Sequence, residues 1–216
     1  MTPLMRLSSF VRVIGLLLVV APRPVMAQEP PPPLPHVVLD IRGTFPKFTQ
    51  EEQLAASRGL SVAELPGRGL GADAGLHVYV FKWKAVTFGL GAQGTVGRGT
   101  TPAEGTSVRA VTERFSSFTP QLSFNFGDGE GWSYISGGIG VAQRVIVPTG
   151  APITEVDEER LRTVNYGGGA RWFIKAHLAF TFDVRFHQID PGTPRFGLPG
   201  SPRSTLFIAG AGVSLK

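Results

Sequence analysis

The sequence predicts an all-β fold, an eight-stranded antiparallel up-and-down barrel, on three observations. Apolar and polar residues alternate with a period of two in eight separate segments, and the connections between those segments alternate short and long. Beyond residue 27 no run is apolar and long enough for a membrane-crossing helix. The clearest segment runs from His177 to His187. There Leu178, Phe180, Phe182, Val184 and Phe186 share one side of an extended strand, while Ala179, Thr181, Asp183, Arg185 and His187 share the other. One side is apolar and aromatic; the other carries charge.

Residues 1–27 have the composition of a signal peptide. Arg6 and Arg12 give a positive start, Val13 to Ala21 an apolar run, and Val25-Met26-Ala27 a small-residue cleavage site ahead of Gln28. Cleavage there removes three arginines and no acid, leaving 18 basic against 16 acidic side chains, so the formal charge of +5 says little about partners. No basic stripe is interleaved with aromatics, and nucleic acid is not an expected partner. The chain has no cysteine, which excludes a disulfide-stapled secreted scaffold. Residues 28–35 hold Pro30 to Pro33 and Pro35, which cannot donate to a ladder; they are expected to form an extended, Pro-rich periplasmic linker before a barrel at 36–216.

The first segment, near 36–46, sets Val37, Leu39, Ile41 and Phe45 against Asp40, Arg42 and Thr44. The second, near 71–83, sets Ala72, Ala74, Leu76, Val78 and Val80 against Asp73, His77, Tyr79 and Phe81. In the third, near 86–97, Phe88, Leu90, Ala92 and Val96 oppose Thr87, Gln93 and Thr95. The fourth begins as early as Val108 and ends near Phe126, with Phe118, Leu122, Phe124 and Phe126 opposite Thr119, Gln121, Ser123 and Asn125. The fifth, near 132–147, places Ile135, Ile139, Val141 and Val145 opposite Ser136, Gly138, Gly140 and Arg144. The sixth, near 162–174, places Val164, Tyr166, Ala170, Trp172 and Ile174 opposite Thr163, Asn165 and Arg171. The seventh is the stretch from His177, and the eighth, Ser204 to Leu215, carries Phe207, Ala209, Ala211, Val213 and Leu215 opposite Gly210, Gly212 and Ser214.

Short turns at Lys82 to Ala85, Gly127 to Gly131 and Lys175 to Ala176 alternate with long loops near 47–70, 98–107, 148–161 and 188–203. Within the first long loop, Thr49-Gln50-Glu51-Glu52 has capping-box form and predicts a short helix through about Ser57. Trp83, Trp132 and Trp172 all fall at the short-turn end, where indole rings are expected to form an aromatic girdle at a membrane interface.

The alternation fits a soluble barrel with its apolar faces inward and a membrane barrel with the same faces outward. An arginine facing lipid near the midplane costs about 2–4 kcal/mol, so in a membrane the charged faces must line the lumen. Wide aromatic faces, opposed by glycine and small polar residues suited to a narrow interior, favour the transmembrane arrangement. The expected lumenal polar network comprises Asp40, Arg42, Asp73, His77, Arg144, Arg171, Asp183, Arg185 and His187. Buried charges are tolerated only when paired, so these nine are expected to fill the lumen with ion pairs and hydrogen bonds.

The leader, the eight alternating segments and the order of short and long turns resemble the small bacterial outer-membrane barrels of the OmpA/OmpX and opacity-protein type. The resemblance covers nearly all of the chain beyond the leader and rests on pattern, without a specific motif. It implies a cell outer-membrane location with both termini in the periplasm, outer-membrane lipid and lipopolysaccharide as surroundings, and insertion by the barrel-assembly machinery. Family members end in an in-phase strand with a terminal aromatic; here Leu215 is in phase and Lys216 follows it.

The function expected is that of an integral outer-membrane β-barrel with a structural or surface-interaction role, non-catalytic, its long loops offered to an extracellular ligand. Alternatives are a small porin-like channel and a soluble periplasmic lipocalin-like ligand-binding barrel. Lipid A deacylases use a His-x-Ser pair, whereas His187 precedes Gln188-Ile189 and His77 precedes Val78-Tyr79. Four histidines without cysteine give no metal-ligand cluster, and no cofactor or catalytic group is expected.

Overall fold

The computed structural model describes residues 37–127 and 130–216; the expected leader at 1–27, the linker at 28–35 and His36 lie outside the described residues. Eight strands follow in chain order: β1 (Val37–Lys47), β2 (Gly69–Trp83), β3 (Val86–Thr101), β4 (Val111–Phe126), β5 (Gly131–Pro148), β6 (Arg160–Lys175), β7 (Leu178–Ile189) and β8 (Ser204–Leu215). Each pairs antiparallel with its neighbours in sequence, and β1 also pairs with β8, so the sheet closes into an up-and-down barrel. Closure gives every strand two partners and leaves no open edge. Short connections at one end and long loops at the other follow the expected order, and β1 begins and β8 ends at the short-turn end.

Side-chain direction follows the period of two. Along β7, Phe180, Phe182 and Val184 are exposed on the outer wall, whereas Ala179, Thr181, Asp183, Arg185 and His187 are buried inside. The register carries this alternation to the neighbouring strands: Asp183 lies opposite Gly169 on β6 and Gly210 on β8, and Phe182 opposite Ala170 and Ala211. Large inward side chains therefore meet glycines on the next strand. A methyl group added at Gly169 would come within 2.8 Å of the Tyr134 hydroxyl, and one at Gly89 within 2.7 Å of the Tyr79 ring. These close approaches explain part of the glycine content: the interior is too narrow for bulk on every strand.

Two expectations about direction are corrected. Phe81 was expected beside Tyr79 on the inward face, but the β2–β3 register slips between Tyr79 and Phe81, and Phe81 emerges on the outer wall. A bulge reverses the direction of every later residue, so Trp83 also points outward. Trp132 was expected in the interfacial girdle with Trp83 and Trp172. It is instead 3% exposed and lies inside the barrel, edge-on to Phe173 at 4.7 Å between ring centres and clustered with Val38 and Tyr79. The reason is register: Trp132 shares the inward face of β5 with Tyr134, Ser136 and Arg144.

Within the first long loop a short helix, α1 (Glu52–Ala56), ends at Ser57 as expected, but Thr49 does not cap it. Thr49 donates to the Thr205 carbonyl, and the capping box belongs to the next turn, Val62–Glu64, where Ser61 and Glu64 cap one another. The loop is more than surface decoration. Leu54, Ala55 and Leu65 bury themselves against Val111 and Ile146, on the inward faces of β4 and β5, and cover the barrel mouth.

Glu64 fixes this cover to the third connection. Arg109 Nε donates to it at 2.6 Å and the Ser61 backbone N–H at 2.7 Å, and Arg109 also reaches the Gly59 carbonyl at 3.0 Å. The hydrogen bonds from Arg109 and then from the Ser61 backbone hold the Glu64 carboxyl down at about 2, below its ordinary 4.5. Because the folded value is the lower one, this anchoring is fully present above pH 4.5 and is lost as pH falls through about 2. A carbon-detected NMR titration of Glu64 should show a midpoint near 2; a midpoint near 4.5 would mean that the anchor does not form.

Candidate functional site

Inside the barrel, three arginines and three aspartates form one continuous cluster. Arg171 on β6 reaches across to Asp40 on β1 with two parallel bonds, Nε to Oδ1 at 2.9 Å and Nη2 to Oδ2 at 2.6 Å, and Ser214 on β8 donates to the same carboxylate. Arg42 pairs with Asp73 on β2 at 2.8 Å and donates to the Tyr134 hydroxyl at 2.7 Å. The Tyr134 hydroxyl donates to Asp183 at 2.6 Å, and Arg185 pairs with Asp183 through Nε at 2.8 Å. The Arg171 guanidinium also stacks over the Tyr134 ring at 4.0 Å. Formal charges cancel within the cluster, and bidentate or shared hydrogen bonds satisfy much of its polar surface, as burial requires.

A layer of amides and histidines lies next to the charges. Gln121 bonds Gln93 at 3.0 Å and Asn165 at 3.2 Å, Arg185 donates to Asn165 at 3.1 Å and Ser136 at 2.7 Å, and His77 stands 3.4 Å from Gln121. His187 faces Asn165 at 3.2 Å and packs edge-on to Phe115. Its Nδ1 is 3.5 Å from the Ser117 hydroxyl. Among the described residues no group of three His, Cys, Asp or Glu could hold a metal ion.

All nine residues expected in the polar network are buried. Eight of them belong to the charged cluster and its amide layer. Arg144 stands apart nearer the loop end, pairing with Glu113 at 2.6 Å and donating to Ser204 at 3.0 Å. An apolar layer of Phe48, Phe115, Ala142, Ile189, Leu206 and Ile208 forms a separate buried cluster within the barrel. At the short-turn end Val38, Tyr79, Trp132 and Phe173 close the interior, with the Lys216 ammonium 3.8 Å from the Phe173 ring centre. The polar interior is therefore covered at both ends by apolar side chains.

Tyr134, Tyr79, Glu113 and Ser214 join this interior, and Tyr134 and Glu113 had no place in the expected set. Their signal was available in the alternation: Tyr134 shares the face of Ser136, and Glu113 that of Thr119 and Gln121. On the outer wall Trp83 and Trp172 are exposed, and Phe81, Phe88 and Phe124 form a row, the first two rings tilted and the last pair edge-on, at 5.8 and 5.2 Å between ring centres. Tyr166, Phe186 and Phe207 form a second outward aromatic row across β6, β7 and β8, spaced 5.4 Å apart.

No family model and no curated protein sequence matches the chain. Among solved structures, the chain is similar to Neisserial surface protein A, with a TM-score of 0.55 and 9% identity, over 84% of this chain and 97% of that one. It also aligns with Ail, the attachment invasion locus protein of Yersinia pestis, at a TM-score of 0.44 and 11% identity, over 83% of this chain and 96% of that one. The first likeness supports the eight-stranded closed barrel as the fold.

Replacing Arg171 by methionine should remove both bonds to Asp40 and leave that carboxylate buried without its main partner. The expected loss is about 3–5 kcal/mol of unfolding free energy, measured by equilibrium denaturation of protein refolded in detergent. A loss below about 1 kcal/mol would show that the cluster does not hold the barrel.

Proposed function

We propose that this chain is an integral outer-membrane barrel with a structural or surface-interaction role and no catalytic centre. One observation carries the proposal: the chain is turned inside out relative to a soluble barrel. All four acidic residues of the strands, Asp40, Asp73, Glu113 and Asp183, are buried. Large apolar side chains are exposed on every strand, from Ile41 on β1 and Leu76 on β2 to Phe182 on β7 and Val213 on β8. A soluble protein rarely exposes so continuous an apolar surface. In hydrocarbon the same wall is at home, and a closed barrel satisfies the backbone hydrogen bonds that lipid cannot.

On this reading the leader at 1–27 directs export, the barrel-assembly machinery inserts the strands, and lipid and lipopolysaccharide surround them. Both termini lie in the periplasm and the long loops outside, as the length asymmetry of the connections favours. Recognition of an extracellular ligand falls to those loops, because the strands are committed to pairing. The layered, ion-paired interior supports a filled lumen over a small channel. It also speaks against a lipocalin-like barrel, whose interior would be an apolar pocket. With His77 and His187 sealed between apolar layers, the histidines lack a path to substrate, which supports the non-catalytic role.

A membrane barrel resists detergent until it is heated. After membrane fractionation, unboiled protein should run at a different mobility from boiled protein on a detergent gel and require detergent for extraction. Recovery of folded protein in the soluble fraction without detergent would overturn the proposal.

A further inference from the structure

The outer wall is uneven in charge. The strands hold eight arginines: Arg42, Arg144, Arg171 and Arg185 are buried inside, while Arg98, Arg114, Arg160 and Arg162 are exposed on the outside near the loop end. No strand acid faces outward to balance them, and among the described residues none of the four has an ion pair or side-chain hydrogen bond. Arg98 on β3 stands directly opposite Arg114 on β4. Like charges facing one another across a ladder repel, and an anion between or above them would relieve that repulsion.

Beside these arginines the outer wall is hollowed. Two contiguous depressions of about 480 and 360 Å³ share Val96, Ser116 and Gln143. Ala72, Gly94 and Ser116 are small outward residues at the base, between the larger Leu70, Phe118 and Val141. A methyl group added at Gly94 would meet nothing within 4 Å, so the hollow is open space. Arg98 and Arg114 rim one depression and Arg160 the other. Arg160 is on β6, two strands from Arg114 on β4, which separates the two cationic points by about 10 Å at ordinary strand spacing.

We propose that this groove binds a phosphorylated glycolipid of the outer leaflet, an acylated disaccharide carrying a phosphate at each end. One phosphate lies between Arg98 and Arg114, the second on Arg160 with Arg162 beside it, and an acyl chain lies in the apolar hollow below. Guanidinium groups suit this role because they bind phosphate oxygens in bidentate fashion and stay charged at a membrane surface. The inference rests on the lipid-facing reading of the wall and on the long loops lying outside the cell.

The test uses the full mature chain folded in zwitterionic detergent micelles, titrated calorimetrically with bis-phosphorylated lipid A, with its dephosphorylated form and with phosphatidylglycerol. The bis-phosphorylated lipid should bind at least about tenfold tighter than phosphatidylglycerol and about a hundredfold tighter than its dephosphorylated form, since each lost charged contact is worth about a decade. The double variant Arg98→Gln/Arg114→Gln and the single variant Arg160→Gln should each weaken its binding by about tenfold, whereas Lys175→Gln, at the short-turn end, should not. Equal binding of the three lipids, or unchanged affinity in variants that retain the heat-dependent gel shift, overturns the site. The comparison of lipids on the unmodified chain needs no variant to fold. A chain that never folds into micelles overturns the membrane reading itself, a separate outcome.

Discussion

A narrow closed barrel cannot bury a charge without burying its opposite, and the rest of this structure depends on that constraint. Asp40, Asp73 and Asp183 enter the interior only because Arg42, Arg171 and Arg185 enter with them from other strands. Asp40 on β1 and Arg171 on β6 meet across the barrel, so their bond can form only after the sheet has curved and closed. The pairing acts as a check on register. A one-residue slip of β1, β2, β6 or β7 would turn its charged residues outward and orphan their partners inside. Burial of paired charges is weak evidence of net stability, but breaking a pair is costly, and this asymmetry favours the single closed arrangement over its slipped alternatives.

The same alternation that sends charge inward sends Phe180, Phe182, Ile135 and Leu122 outward. Interior and exterior are two readouts of one period. The charged cluster makes the interior impermeable to register error, and the apolar wall makes the exterior compatible with hydrocarbon. Loop cover and the Trp132 cluster then close the two ends, leaving outward side chains and the loops as the surfaces open to partners.

Much of this was legible in the sequence because the period of two is a local signal. It located eight strands, with β8 matched at both ends, and the nine residues it assigned to the polar face are buried. What it missed depended on distant or irregular geometry. The register shift between Tyr79 and Phe81 leaves no compositional trace, so strict alternation puts Phe81 on the wrong face. The height of Trp132 along its strand points to the girdle, but its parity with Ser136 gives the inward direction. Loop 1 carries the signs of a capped helix, but which carboxylate caps, and that Leu54 and Leu65 turn into the barrel mouth, depends on Val111 and Ile146 far along the chain. Partners across the barrel, such as Arg171 for Asp40, are likewise set by closure and have no signature in spacing.

The central claim is that successive residues of one strand alternate between lipid and a sealed polar interior. Nitroxide labels placed singly at positions 180, 181, 182, 183 and 184 of β7, in protein reconstituted into bilayers, report this by their relaxation with oxygen, which concentrates in hydrocarbon, and with a water-soluble nickel chelate. Labels at 180, 182 and 184 should respond strongly to oxygen and weakly to nickel, and labels at 181 and 183 weakly to both. Strong nickel accessibility at 180, 182 and 184, with 181 and 183 sealed, would place the aromatic wall in water and contradict the account.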